Sequence, residues 1–144
     1  MVIRRRFLKF LVPAVTVLAA LLGLLIGLAP QKEGITVRYA VLFTTENELV
    51  TAFAVGDRLT DGASKGALGT VTAIEVSPAM GENESGVFSL PDKSRVILTI
   101  TGEGAKKGSV LTVSDVPLLI GKRLSLHGRG TAYGICLWAE EVTE

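Results

Sequence analysis

Several chemistries are excluded by what this 144-residue chain lacks. It has one cysteine, Cys136, and one histidine, His127. A single cysteine rules out an intramolecular disulfide, and one histidine alone builds neither a metal site nor a catalytic triad. Cys136 sits in the apolar run Ile135-Cys136-Leu137-Trp138, where a buried, inert thiol is expected. A link between two chains through that thiol is the alternative. His127 shares a strand face with Arg123 and Ser125, opposite Leu124 and Leu126, and is expected to be solvated. The acidic pairs Glu46/Glu48, Glu82/Glu84 and Glu140/Glu141 fall in turns or at the terminus, where solvated charge is normal. Asp57 and Asp61 lie near Gly56 and Gly62 but lack the spacing of an EF-hand loop. Gly128-Arg129-Gly130 and Gly66-Ala67-Leu68-Gly69 lack the strand–turn–helix setting of a phosphate loop. No catalytic residue, metal site or cofactor is therefore assigned, and the chain is expected not to be an enzyme.

Charge is also missing, completely, from Phe10 to Ala29. Twenty residues at about 1.5 Å each span about 30 Å, the hydrocarbon thickness of a bilayer. Twelve of the twenty are Leu, Ile, Val or Phe, contributing on the order of −4 to −7 kcal/mol toward insertion. A helix apolar all round does not suit the surface of a soluble core. A cleaved leader has a shorter apolar stretch and a small-residue site, whereas here Pro30 follows Gly27-Leu28-Ala29. The reading is a retained signal-anchor over 10–29, a basic tail over 1–9 and a linker over 30–34. Arg4, Arg5, Arg6 and Lys9 keep the N-terminus cytoplasmic, so residues 35–144 form an extracytoplasmic domain in this reading. Setting those four aside leaves eleven basic against fourteen acidic residues, net −3, which disfavours nucleic acid as a partner. Gly23 and Gly27 form a G-x-x-x-G pair, a candidate helix–helix contact for a homodimer or a larger membrane complex.

Past the linker the pattern changes to period two. Ile35, Val37, Tyr39, Val41 and Phe43 fall on one face of a strand, and Val96, Leu98 and Ile100 on one face of another. Glycine-punctuated pieces around Leu68–Ser77, Ser109–Val113, Lys122–His127 and Ala132–Ala139 predict further short strands. Thr45–Phe53 reads as one or two helical turns capped by Thr45, with Glu48 three residues on. Two stretches also match at an offset of 65 residues. Val55-Gly56-Asp57-Arg58-Leu59-Thr60 parallels Ile120-Gly121-Lys122-Arg123-Leu124-Ser125, and Ala67-Leu68-Gly69 parallels Ala132-Tyr133-Gly134. The fold class is mainly β: a small barrel- or sandwich-like domain of two similar β halves behind one N-terminal transmembrane helix. Pro78–Lys93 breaks the pattern and reads as a long loop. Its Val87, Phe88 and Leu90 either dock on a partner or cover one end of the domain.

These motifs resemble a known family in order and spacing. The likeness rests on Val55 to Leu59, on Gly69-Thr70-Val71 through Glu75-Val76-Ser77-Pro78, and on Val96-x-Leu98-Thr99-Ile100-Thr101-Gly102-Glu103-Gly104. Ile120 to Leu124 and the Tyr133-Gly134 step continue it. The family is the single-pass bacterial proteins classed as domain of unknown function 4330, and the resemblance covers roughly Ile35 to Val142. It implies a membrane-anchored extracytoplasmic β domain of the bacterial cell envelope, with no assigned activity and no catalytic residues to transfer. Members often carry a glycine-containing polar segment before the helix; this chain has only Arg4-Arg5-Arg6 and its neighbours there. The expected function is a non-catalytic binding or scaffold module with a protein partner. The alternatives are an accessory subunit packing through Gly23 and Gly27, or an envelope hydrolase using Glu75 and Glu140, which occupy matching positions in the two stretches.

The anchor makes a quantitative prediction. Two central arginines cost about 5–7 kcal/mol, enough to offset the whole insertion term. The native chain should resist alkaline carbonate extraction from membranes, and the variant carrying Leu18→Arg and Leu22→Arg should be extracted. Extraction of the native chain would contradict the anchor.

Overall fold

The computed structural model describes residues 15–22 and 34–144, which belong to two units, Met1–Glu33 and Gly34–Glu144. In the first, residues 15–22 form a helix (α1) whose side chains are all exposed. Val15, Val17, Leu18, Leu21 and Leu22 are each more than half exposed. No helix among the described residues is long and apolar enough to cross a membrane. The rest of the expected anchor over 10–29, including Gly23 and Gly27, lies outside the described residues. So do the basic tail over 1–9 and all of the linker except Gly34.

The second unit is mainly β and antiparallel throughout, as the alternating pattern predicts. Its strands are β1 (Ile35–Glu46), β2 (Arg58–Asp61), β3 (Ala67–Asn83), β4 (Gly86–Lys107), β5 (Val110–Val113), β6 (Val116–Pro117), β7 (Arg123–His127) and β8 (Thr131–Val142). Neighbours run β1-β8-β7-β2-β3-β4, and β4 pairs back onto β1, so the pairings close on themselves. β5 and β6 form a small flap on the end of β4. The inward row is the apolar face of each strand: Val37, Tyr39, Val41 and Phe43 of β1 share one core with Val96, Leu98 and Ile100 of β4, and Leu59, Leu68, Val71, Val113, Leu118, Leu124, Leu126 and Cys136 add to it. Each such large side chain withdrawn from water contributes about 1.5–3 kcal/mol. Phe53 closes one end by an edge contact with Phe43, ring centroids 5.5 Å apart.

The offset of 65 residues reappears in the backbone. Gly56 N–H donates to the Val71 carbonyl at 2.8 Å, and Gly121 N–H to the Cys136 carbonyl at 2.8 Å. Val71 N–H donates to Asp57 O, and Cys136 N–H to Lys122 O, both at 2.9 Å. Gly56 and Gly121 both take positive φ, 95° and 83°. Leu59 lies opposite Gly69 and Leu124 opposite Gly134. Irregularities fall between Val71 and Ala73 on β3 and between Cys136 and Trp138 on β8, again 65 apart.

Two local expectations are corrected. Thr45 is not a helix cap: β1 runs through it, and the 3₁₀ helix Asn47–Ala52 starts after Glu46 without a side-chain cap. Pairing with Ser94 holds Thr45 in the sheet. Pro78–Lys93 is not a loop but the paired ends of β3 and β4, joined at Glu84-Ser85. Asn83 Oδ1 accepts the Ser85 N–H at 2.8 Å, and Gly86 takes φ 120°. Gly81 lies opposite Phe88, whose ring crosses the space a side chain would occupy. Gly86 and Gly81, which help disguise this hairpin, are the residues that permit its turn and its aromatic packing.

Gly69 and Gly134 mark close backbone approaches. A Cβ on Gly69 would strike the Thr101 carbonyl at φ 125°, and one on Gly134 would strike Val41. Gly69→Ala and Gly134→Ala should each destabilise the domain by about 2 kcal/mol or more in urea unfolding, while Gly34→Ala, with open space around it, should stay within about 0.5 kcal/mol. Tolerance of alanine at both sites would refute this strand register.

Candidate functional site

Two surfaces of the β domain present side chains without a structural partner. The first is the β3–β4 arm, where Ala79–Asn83 pairs with Gly86–Leu90. Val87 is 65% exposed, Phe88 42% and Met80 57%. Leu90 sits lower, beside Val76, Pro91 and Ser94 in a groove of about 420 Å³. Asn47 fixes that groove's rim, donating to Pro91 O at 2.8 Å and accepting from Ser94 Oγ at 2.6 Å. Of the three expected docking residues, Val87 and Phe88 therefore share the arm, and Leu90 belongs to its base. None of them covers an end of the core.

The second surface lies on the β7–β8 hairpin. Strand pairing sets Arg123 opposite Ile135, Ser125 opposite Tyr133 and His127 opposite Thr131. Two adjoining grooves of about 380 and 330 Å³ share Ala63, Ser125 and Tyr133, and form one trough from Lys122 to His127. One wall is the Asp61–Lys65 turn: the Ser64 N–H and Oγ each reach Asp61 Oδ2 at 2.8 Å. The Ser64 backbone bond holds the Asp61 carboxyl below the usual range against the opposing effect of burial. The other wall is Asp115, Val116 and Pro117, with Asp115 paired to Lys107 at 3.2 Å. Tyr133 is 67% exposed. Among the described residues, Lys122 and Arg123 have neither an ion pair nor a side-chain hydrogen bond. His127 is exposed as expected, with Nδ1 at 3.3 Å from Thr131 Oγ1.

The other candidates do not converge. Glu75 and Glu140 are exposed on β3 and β8, three strand steps or about 14 Å apart around the sheet. Glu140 accepts from Arg38 Nε at 2.9 Å, an exposed pair contributing about 0–1 kcal/mol. Asp57 accepts the Ala54 N–H at 2.8 Å and Arg129 Nη2 at 2.6 Å, so its oxygens serve the fold. No group of three or more metal-ligating side chains occurs among the described residues. Cys136 is buried, and burial pushes its thiol up, away from the reactive thiolate. The sequence singled out neither Tyr133 nor the Lys122–Arg123 pair as a site. The available signal was the change from Asp57 to Lys122 within the repeated segments.

No protein-family model, curated protein or solved structure matches the chain.

The Asp57–Arg129 contact gives the acid behaviour a defined sign. Arg129's hydrogen bonds, then the Ala54 N–H, hold the Asp57 carboxyl below its ordinary 3.8. A depressed folded-state value contributes stability above the unfolded pKa and loses it as pH falls through the folded one. The stability gap between the native chain and Arg129→Gln should be full above about pH 5 and should shrink below pH 3.8. Urea midpoints across that range test this, and a gap independent of pH would refute it.

Proposed function

We propose that this protein is a single-pass, membrane-anchored binding module of the bacterial cell envelope, with a cytoplasmic N-terminus and an extracytoplasmic β barrel built from two related halves. The anchor reading is supported by the uncharged apolar segment behind four basic residues and by the exposed apolar side chains of α1. The two-half reading is supported by hydrogen bonds, bulges and positive-φ glycines that recur 65 residues apart. The resemblance to the domain-of-unknown-function 4330 proteins points the same way.

The observation that carries the binding role is the β3–β4 arm. An isolated two-stranded ribbon is marginal in water, yet this one holds Val87, Phe88 and Met80 outward. Aromatic and aliphatic anchors on a projecting ribbon suit a protein partner that covers them. A second reading, an accessory subunit of a larger membrane complex, rests on the Gly23 and Gly27 pair. The hydrolase alternative draws no support from the separated Glu75 and Glu140.

Two measurements test the proposal in cells. A photo-crosslinking residue at Val87 or Phe88 should give a discrete protein adduct that the same residue at Thr36 does not. A Ser85→Cys variant should react with a membrane-impermeant maleimide from outside, while the native chain, its thiol buried, should not. Absence of an adduct sinks the docking role; absence of labelling sinks the outer placement.

A further inference from the structure

We infer that the β7–β8 trough binds an acidic sugar chain, with Lys122 and Arg123 taking its carboxylate and Tyr133 its ring face. The inference adds a second surface to the binding module proposed above, and it rests on that reading only for the compartment in which such a ligand is met.

The internal repeat supplies a closed copy of the same surface for comparison. The position 65 residues before the trough is covered. There Arg129, in the turn between β7 and β8, reaches back to Asp57 at 2.6 and 3.0 Å. The side chain of Leu68 is fully buried. In the trough the corresponding residues are Lys122 in place of Asp57, Ser64 in place of Arg129 and Tyr133 in place of Leu68. Ser64 is short and spends its hydroxyl on Asp61, so nothing crosses to cover Lys122. Charge reversal and loss of the covering arginine leave Lys122, like Arg123, without an ion pair among the described residues, while the two carboxylates of the walls are already engaged, Asp61 by Ser64 and Asp115 by Lys107.

The aromatic is turned outward by the same kind of change. The β2–β3 pairing slips between Leu59 and Thr60, so that Leu59 faces Gly69 while Thr60 faces Ala67. Leu68 is the extra residue of this bulge and turns into the core, its carbonyl accepting the Tyr39 hydroxyl at 2.7 Å. The β7–β8 ladder has no slip: Leu124 faces Gly134 and Ser125 faces Tyr133. Regular alternation then sends Tyr133 outward with Ser125. The core gains nothing from a phenol ring in that position.

The shape and donors select the ligand class. The trough is long and open rather than deep, so it fits a section of chain better than an enclosed small molecule. A guanidinium and an ammonium lining one groove suit a carboxylate, while Ser125, Thr131 and His127 offer hydrogen bonds to hydroxyls farther along. A phenol ring supplies a flat apolar face with a polar tip, matching a sugar ring's apolar face and hydroxylated rim. An added peptide strand fits less well. From Ser125 onward the second edge of β7 is occupied by Gly62, Asp61 and Thr60, leaving a free backbone edge much shorter than the usual strand of about 5–6 residues.

The test uses the full-length chain in detergent, titrated calorimetrically with oligogalacturonate, an uncharged cello-oligosaccharide and oligoglutamate. The acidic sugar should bind, more weakly as salt rises, and the neutral sugar and the peptide should bind at least about tenfold more weakly. Combined Lys122→Gln and Arg123→Gln should weaken oligogalacturonate at least about tenfold. Tyr133→Ser should weaken it and Tyr133→Phe should preserve it. Arg58→Gln, at the corresponding position of the closed copy, should change nothing. These residues are solvent-facing, and the circular dichroism of each variant should match that of the native chain. No binding of oligogalacturonate, equal binding of the neutral sugar, or binding indifferent to the trough variants overturns the inference. Equal binding of oligoglutamate does so too, by making the site a receptor for acidic peptide. Each of these failures leaves the compartment and the arm to their own tests, which do not involve the trough.

Discussion

The pairing of β1 with β4 is the constraint on which the rest of the domain depends. Twelve residues of β1, Ile35 to Glu46, lie opposite Gly104 to Lys93 without a break in register, and this ladder turns a six-stranded sheet into a closed ring. On the opposite side, Asp61 faces Leu126, themselves 65 apart. Closure removes the sheet edges that an open arrangement would expose. It also gathers the inward side chains of the strands into one core.

Given that ring, variation is confined to what the strands carry outside it. The β3–β4 arm extends past the ring, and its register shifts between Pro78 and Ala79, where Pro78 faces Ser94 and Ala79 faces Leu90. Pro78 fits there because the strand has lost its neighbour on the β2 side, where a missing N–H costs little. β7 and β8 repeat the Gly56 and Val71 backbone hydrogen bonds of β2 and β3 at Gly121 and Cys136, but not the β2–β3 bulge. A bulge at Leu68 and a regular ladder at Tyr133 place equivalent residues on opposite faces. The Asp57–Arg129 pair has no counterpart at Lys122 and Ser64, where the Ser64 hydroxyl goes to Asp61 instead.

Much of this was legible in the sequence, for a physical reason. A strand with one buried face writes its orientation into alternate residues, so Ile35 to Phe43 and Val96 to Ile100 declare their inward sides. The repeat was legible because glycines at 56 and 121 meet the same positive-φ requirement. What could not be read was anything set by pairing rather than by local pattern. The hairpin through Pro78 to Lys93 resembles a loop because Gly81, Gly86 and the prolines interrupt alternation. Leu68 and Tyr133 occupy matching positions in the sequence, yet a one-residue slip in the β2–β3 ladder, absent from β7–β8, sends one inward and the other outward. Lys122 and Arg123 acquire meaning only once Arg129 is seen to serve Asp57 and nothing is seen to serve them.

Hydrogen exchange resolved by residue tests the central claim most directly, because closure by β1 and β4 makes the ring a single cooperative unit. In the full-length chain, amides of Val37 to Phe43 and Val96 to Ile100 should exchange only with global unfolding, at the slowest rate in the protein and in step with those of Leu124 and Cys136. The arm from Ala79 to Leu90 should exchange much faster. Early and independent exchange of β1 and β4, with β2, β3, β7 and β8 still protected, would contradict the account by showing that the sheet holds together without the ladder that closes it.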